Sequence, residues 1–149
     1  MQIIKNNDIK SLNIQPETCL SWVAEALLMK GECTLPPKTP IKWGHNIFAT
    51  SMPSLIPSEE KYGLKVVTRF PNRVPALDSQ ILLYDSKNGT PLAMMDGNWI
   101  TAMRTGAVAA LSIKHLKKSE AKSIGFIGLG NTARATMLML ASCMGGGKN

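Results

Sequence analysis

Three places in this chain carry residues that could do chemistry. The first is Ile124-Gly125-Phe126-Ile127-Gly128-Leu129-Gly130-Asn131-Thr132-Ala133. Its form is an apolar strand, a G-x-G-x-x-A turn and the start of a helix. In such a turn the first glycine lets the chain reverse sharply, and the second removes the side chain that would block a pyrophosphate. The small last residue lets helix and strand pack closely. The helix N-terminus then offers N–H groups and a positive dipole end to the anion. Flanked this way, the turn reads as a dinucleotide fingerprint; the alternative is a β-to-α turn that binds nothing. The rest of the fingerprint is missing. An acidic residue for the ribose is due about 20 residues further on, and no Asp or Glu follows Gly130.

The other two places are cations. Lys65 lies inside the apolar run Tyr62-Gly63-Leu64-Lys65-Val66-Val67, and Arg104 lies mid-helix in Ile100-Thr101-Ala102-Met103-Arg104-Thr105-Gly106-Ala107. Thr101, Arg104, Thr105 and Val108 share one helical stripe, so Arg104 is expected to head a polar stripe on an otherwise apolar helix. A cation shielded from water needs an anionic partner, and an Arg fork suits a carboxylate bidentately. For each cation the plainer alternative is a structural ion pair or a solvated face.

The elements that must hold these residues follow from pattern. A short strand is expected over 1–5, then a helical turn from an Asp8 cap to Leu12. Pro16 suits a first helical position, and Trp22, Val23, Ala26, Leu27 and Met29 recur at helical spacing. These predict a helix over 16–30 closed by Gly31. Three prolines keep 35–40 out of any helix. Strands are expected over 46–52, 62–70 and 81–84, the second with Leu64, Val66 and Thr68 on one face and Lys65, Val67 and Arg69 on the other. Asp85-Ser86-Lys87-Asn88-Gly89 makes a hairpin turn into a strand over 91–95, and Asp96-Gly97-Asn98 ends the hairpin. A long helix follows over 99–116, a polar break over 119–122, a short buried strand over 123–127, a tight turn over 128–133 and a helix over 134–144 stopped by three glycines.

Composition narrows the function. The chain has 149 residues, 44% of them apolar and 18% charged, which excludes global disorder. Seventeen Lys and Arg stand against 10 Asp and Glu, a formal net charge of +7. The charge is scattered; its densest stretch, Lys114, Lys117, Lys118 and Lys122, reads as a solvated helix terminus. Aromatics make up 5% of the chain and do not interleave with the basic residues, so a nucleic-acid partner is not expected. No apolar run reaches the ~20 residues of a membrane span, and no signal peptide is visible. Cys19, Cys33 and Cys143 form no CxxC pair, and His45 and His115 are isolated. Neither a metal site nor a disulfide framework is expected, and the cytoplasm is the expected compartment.

Taken together, the motifs resemble those of the ornithine cyclodeaminase / mu-crystallin family. The resemblance rests on Met95-Asp96-Gly97-Asn98-Trp99-Ile100-Thr101-Ala102-Met103-Arg104-Thr105-Gly106-Ala107 and on Ile127-Gly128-Leu129-Gly130-Asn131-Thr132-Ala133. Leu35-Pro36-Pro37-Lys38, Ser51-Met52-Pro53, Gly63-Leu64-Lys65-Val66-Val67 and Leu82-Leu83-Tyr84-Asp85 match as well, in order and approximate spacing over nearly the whole chain.

The resemblance implies an α/β protein with an α+β substrate and dimerisation domain followed by the start of a Rossmann domain. In this chain those parts would be 1–118 and 119–149, the second being a single β-α unit. It implies NAD or NADP as cofactor, a small amino-acid or imine substrate, and a homodimer. The reactions it implies are conversion of L-ornithine to L-proline plus ammonia, or a related amino-acid dehydrogenase or ketimine reductase reaction. Lys65 and Arg104 then look like holders of the substrate carboxylate, with Lys38 where many members have Arg. Gly128, Gly130, Asn131 and Thr132 look like the pyrophosphate turn, with Asn131-Thr132 in place of a commoner Ala/Val-Gln pair. Ala76 stands where some members place a Thr near the cofactor. The family's catalytic Asp has no counterpart in this sequence, so no catalytic residue is assigned. The ending Ser142-Cys143-Met144-Gly145-Gly146-Gly147-Lys148-Asn149 reads as a frameshift or premature stop. Three expectations stay open: an enzyme of the family, a truncated non-catalytic module for dimerisation or ligand binding, and a split protein completed by a second polypeptide.

Overall fold

The alternation around Lys65 does form a strand. In the computed structural model, which describes residues 1–144, β4 (Lys61–Arg69) pairs antiparallel on both sides, with β3 (Phe48–Ile56) and with β5 (Leu77–Asp85). The sheet is completed by β1 (Gln2–Ile4), β2 (Thr39–Lys42) and β6 (Pro91–Asp96) in the order β1-β6-β5-β4-β3-β2. Only β1 runs parallel to its neighbour, β6. The chain divides into two compact units. The sheet, with residues 1–12 and 29–99, is one; among the described residues, 13–28 and 100–144 make the other.

Within the sheet unit, β3 and β5 run longer than the sequence pattern suggests, and β2 begins in the proline stretch 35–40, which the pattern requires only to be non-helical, and continues into residues for which it predicts no element. β2 is an edge strand, the position where a proline such as Pro40 is tolerated. Pro53 is accommodated in β3 for a related reason. Leu55 exchanges both backbone hydrogen bonds with Thr34 at 3.0 Å, so by the period-2 pleat the nitrogen of Pro53 faces the same outer side. There β2 has already ended, at Thr39 opposite Ser51. The β5–β6 hairpin forms as expected; its turn is held by Asp85 Oδ1, which accepts the N–H groups of Lys87 (2.8 Å) and Asn88 (3.3 Å). Asp8 does not cap α1 (Asn6–Ser11) from the front. It sits in the first turn and accepts the Lys5 N–H at 2.8 Å, the reciprocal half of a capping box.

The helical unit contains α2 (Pro16–Leu28), α3 from Ile100 onward (the whole helix is Asn98–Leu116) and α4 (Asn131–Met144). α2 gives way to a 3-10 turn, Met29–Glu32, that contains Gly31. It buries Cys19 and Leu20, while Trp22 and Leu27 of its expected apolar face stay exposed. α3 buries Met103, Gly106, Ala107 and Ala110; α4 buries Ala135, Thr136, Met139 and Leu140. Glu17 at the start of α2 accepts a 2.6 Å hydrogen bond from the Ser142 hydroxyl on α4. That bond holds the Glu17 carboxyl below its ordinary range. Burial pushes the Cys19 thiol up. The three glycines expected to stop α4 lie outside the described residues.

The short buried strand expected over 123–127 is not formed. Ile127 is fully exposed and Ile124 is 41% exposed. Ile124, Phe126 and Ile127 give the segment the composition of a buried strand, but a strand needs neighbours to take its N–H and C=O groups. No described strand pairs with this segment.

Candidate functional site

Lys65 stands in a row that crosses the sheet. The register aligns Met52, Lys65, Ile81 and Met95 on successive strands, with Ile4 beyond. Residues aligned in this way share one face of a sheet. Lys65 is therefore a half-buried cation in an apolar row, with Lys61 and Arg69 on the same face at the two ends of β4. Lys38 is exposed and immediately precedes β2. Pairing of β2 with β3 begins at Thr39, opposite Ser51, so Lys38 stands just outside the paired register.

Arg104 belongs to the helical unit, and it is exposed rather than shielded from water. The buried stripe of α3 is Met103, Gly106, Ala107 and Ala110. A step of one residue turns a helix by about 100°, which carries Arg104 off that stripe. Of its expected polar companions, Thr105 turns its hydroxyl back onto the helix and donates to Thr101 O at 2.6 Å.

The glycine turn is open. Gly128 has φ +86°, a conformation natural only to glycine. A Cβ built at Gly128 or Gly130 would meet nothing within 4 Å. α4 starts at Asn131, three residues earlier than the pattern suggests, with the Arg134 N–H bonded to Gly130 O at 3.0 Å. The first N–H groups of a helix have no intrahelical partner, so the backbone at Asn131 and Thr132 suits a pyrophosphate. Ala76 is far from this turn in sequence and lies in the sheet unit, where its carbonyl accepts the Phe70 N–H at 2.9 Å. In the helical unit a cavity of about 340 Å³ is lined by Ile113, Lys117, Ala121, Lys122, Ser123, Ile124 and Met144. It draws two lysines of the basic stretch against apolar side chains.

A polar cluster at the start of α3 was not anticipated. Asn98 Nδ2 donates to Asp78 Oδ1 at 2.7 Å and to Asp96 Oδ2 at 3.4 Å. Asn98 Oδ1 accepts the Ser79 N–H at 2.9 Å. Asp96 Oδ1 takes the Asn98 N–H at 2.8 Å, so Asp96 caps the helix. Arg73 approaches Asp78 at 3.8 Å, donates to Thr68 Oγ1 at 3.0 Å and lies 5.5 Å from the Phe70 ring centroid. An Asp two residues ahead of a helical pattern was the available signal for the cap; the Asp78 partner, 20 residues away, had none. Among the described residues no cluster of His, Cys, Asp and Glu could hold a metal, and no helix is long and apolar enough to cross a membrane.

The chain is a mixed α/β protein with an open, positive-φ glycine turn at the N-terminus of α4. The chain belongs to the ornithine cyclodeaminase/mu-crystallin family, whose family model matches residues 3–146. This is a family of NAD(P)-dependent reductases and cyclodeaminases. The chain is 37% identical over 90 residues to a Delta(1)-pyrroline-2-carboxylate reductase of Bacillus cereus, covering 58% of this chain and 28% of the relative. Its fold matches the Thermococcus litoralis Delta(1)-pyrroline-2-carboxylate reductase in complex with NADH and L-proline, with TM-score 0.85 and 34% identity. That match covers 95% of this chain and 46% of the other. It also matches an archaeal alanine dehydrogenase dimer with bound NAD, with TM-score 0.84 and 28% identity, over 95% of this chain and 45% of the other. The chain thus spans less than half the length of each of these proteins.

Proposed function

We propose that this chain supplies the substrate-carboxylate and dinucleotide-binding parts of an NAD(P)-dependent enzyme acting on an amino acid or a cyclic imine. The single observation that carries the reading is the fold match to a reductase holding both NADH and L-proline. In this reading residues 1–118 serve the substrate and the homodimer, and residues 119–149 begin the nucleotide-binding part.

Gly128, Gly130, Asn131 and Thr132 hold the pyrophosphate, by open backbone and by the positive end of α4. Ala76 is proposed to serve the cofactor site on the family resemblance alone, and its methyl group would offer no side-chain hydrogen bond there. The dinucleotide, when bound, carries the hydride. Lys65 and Lys38 in the sheet unit and Arg104 in the helical unit are the cations for the substrate carboxylate. Fixing the carboxylate orients the α-carbon, and positive charge beside it draws electron density from an imine carbon, which favours hydride acceptance. The substrate is a cyclic imine carboxylate reduced to a proline-type amino acid, or L-ornithine converted to L-proline and ammonia.

The test is titration of the 149-residue chain with NADH, followed by nicotinamide fluorescence, and then with L-proline. Saturable enhancement that L-proline modulates is expected; no response at millimolar NADH overturns the reading. A second reading, a non-catalytic ligand-binding or dimerisation module, is favoured by the exposed, unpaired backbone over 123–127. NADH binding without imine reduction selects it.

A further inference from the structure

α3 and α4 approach each other closely at Gly106. A Cβ built there would lie 2.6 Å from Ala135 C, 2.8 Å from Ala135 Cβ and 2.8 Å from Thr136 N. Two of these three atoms are backbone, so no rotamer change relieves the contact. Carbon atoms pack best at about 3.5–4.0 Å, so any side chain at Gly106 would push α4 away by about 1 Å. The position is otherwise filled: Gly106, Ala107, Ala135 and Thr136 are all buried.

The place of this contact in the unit gives it meaning. Arg104 is two residues before Gly106 on α3, a rise of about 3 Å, and Asn131 is four residues before Ala135 on α4, a rise of about 6 Å. The cation and the glycine turn therefore both lie within about one helical turn of the same crossing. Thr136 adds a link along α4, donating its hydroxyl to Thr132 O at 2.9 Å.

We propose that Gly106 is a positioning residue, setting the spacing between Arg104 and the Gly128–Thr132 turn. It thereby sets the distance at which a carboxylate held by one can meet a dinucleotide held by the other. The proposal rests on the function proposed above. Reacting atoms must approach to about 3–3.5 Å, and a misplacement of about 1 Å can cost 100-fold in rate.

The test compares Gly106→Ala with Ala110→Gly in the 149-residue chain. Ala110 is buried on the same helix, so its replacement loosens packing without pushing on α4. Three readouts are taken: thermal unfolding, the NADH dissociation constant, and ligand-free amide NMR shifts of Asn131, Thr132 and Ala133. Gly106→Ala is expected to move those resonances and weaken NADH binding 10-fold or more. Ala110→Gly is expected to lower the melting temperature while leaving NADH affinity within 2-fold. Equal loss of NADH affinity in both variants, or unmoved resonances in Gly106→Ala, overturns the proposal. If the unmodified chain does not bind NADH, the proposed function falls, and the ligand-free resonances still decide whether Gly106 places the turn. If Gly106→Ala does not fold, the pair Gly106→Ala/Ala135→Gly is compared with Ala135→Gly alone, because one of the three contacts is then withdrawn. Identical turn resonances in those two proteins overturn the proposal.

Discussion

Asn98→Ala tests how the sheet unit anchors the start of α3. Asn98 gives a 2.7 Å hydrogen bond to the Asp78 carboxylate and accepts the Ser79 N–H at 2.9 Å. A hydrogen bond to a charged group is worth about 1.5–3 kcal/mol and a neutral one about 0.5–1.5 kcal/mol. Two offsets lower the sum. The Asp78 side chain is 36% exposed, so water replaces part of the first bond. The Ser79 N–H keeps a second acceptor, Asp78 Oδ1, at 3.0 Å. The helix cap survives as well, because Asp96 takes the Asn98 backbone N–H. The expected loss is therefore about 2 kcal/mol, which for a chain of this size lowers the melting temperature by about 4–8 °C. Thermal and urea unfolding, followed by circular dichroism and tryptophan fluorescence, measure it. Asn98→Asp should cost at least as much at neutral pH, because it sets a third carboxylate beside Asp78 and Asp96. A melting temperature within about 1 °C of the original in either variant would refute the reasoning.

Gly128→Ala puts a Cβ on a residue with φ +86°; we expect NADH affinity to fall about 10-fold and the melting temperature to fall by about 2–8 °C, since an L residue in this backbone region costs about 1–2 kcal/mol even with open space around it. Titration and unfolding on the same sample check both halves. Lys65→Met keeps the side chain's length in its apolar row and removes the charge, so L-proline binding measured by calorimetry should weaken about 10–100-fold, the worth of one charge-assisted hydrogen bond. Ser142→Ala should return the Glu17 carboxyl toward its ordinary value, read by carbon NMR titration. The sign follows from the lowered native value. Glu17 contributes stability above its unfolded pKa and loses it as pH falls through the native one, and the variant should lack that acid-side loss. An unchanged Glu17 titration would show that the Ser142 hydroxyl is not the cause.

Much of the framework was legible because it is local. Pro16 fixes where α2 begins, Asn88-Gly89 closes the β5–β6 hairpin, and the alternation about Lys65 makes β4 a strand. β2 was not legible, because four exposed residues containing Pro40 become a strand only when β3 offers them partners. The opposite error came over 123–127, where the composition suited a strand and no described partner is present.

The sequence by itself determined which residues carry charge and where the backbone must be glycine: Lys38, Lys65, Arg104, and the turn at Gly128 and Gly130. These follow from residue type and short-range pattern. The tertiary structure decided how those residues are grouped and what they face. It set Lys65 in a row with Met52, Ile81 and Met95, turned Arg104 to solvent, joined Asn98 to Asp78 across 20 residues, and pressed Gly106 onto Ala135. The physical reason is that burial, register and helix crossing depend on contacts between residues far apart in the chain. Composition and local periodicity do not encode those contacts position by position.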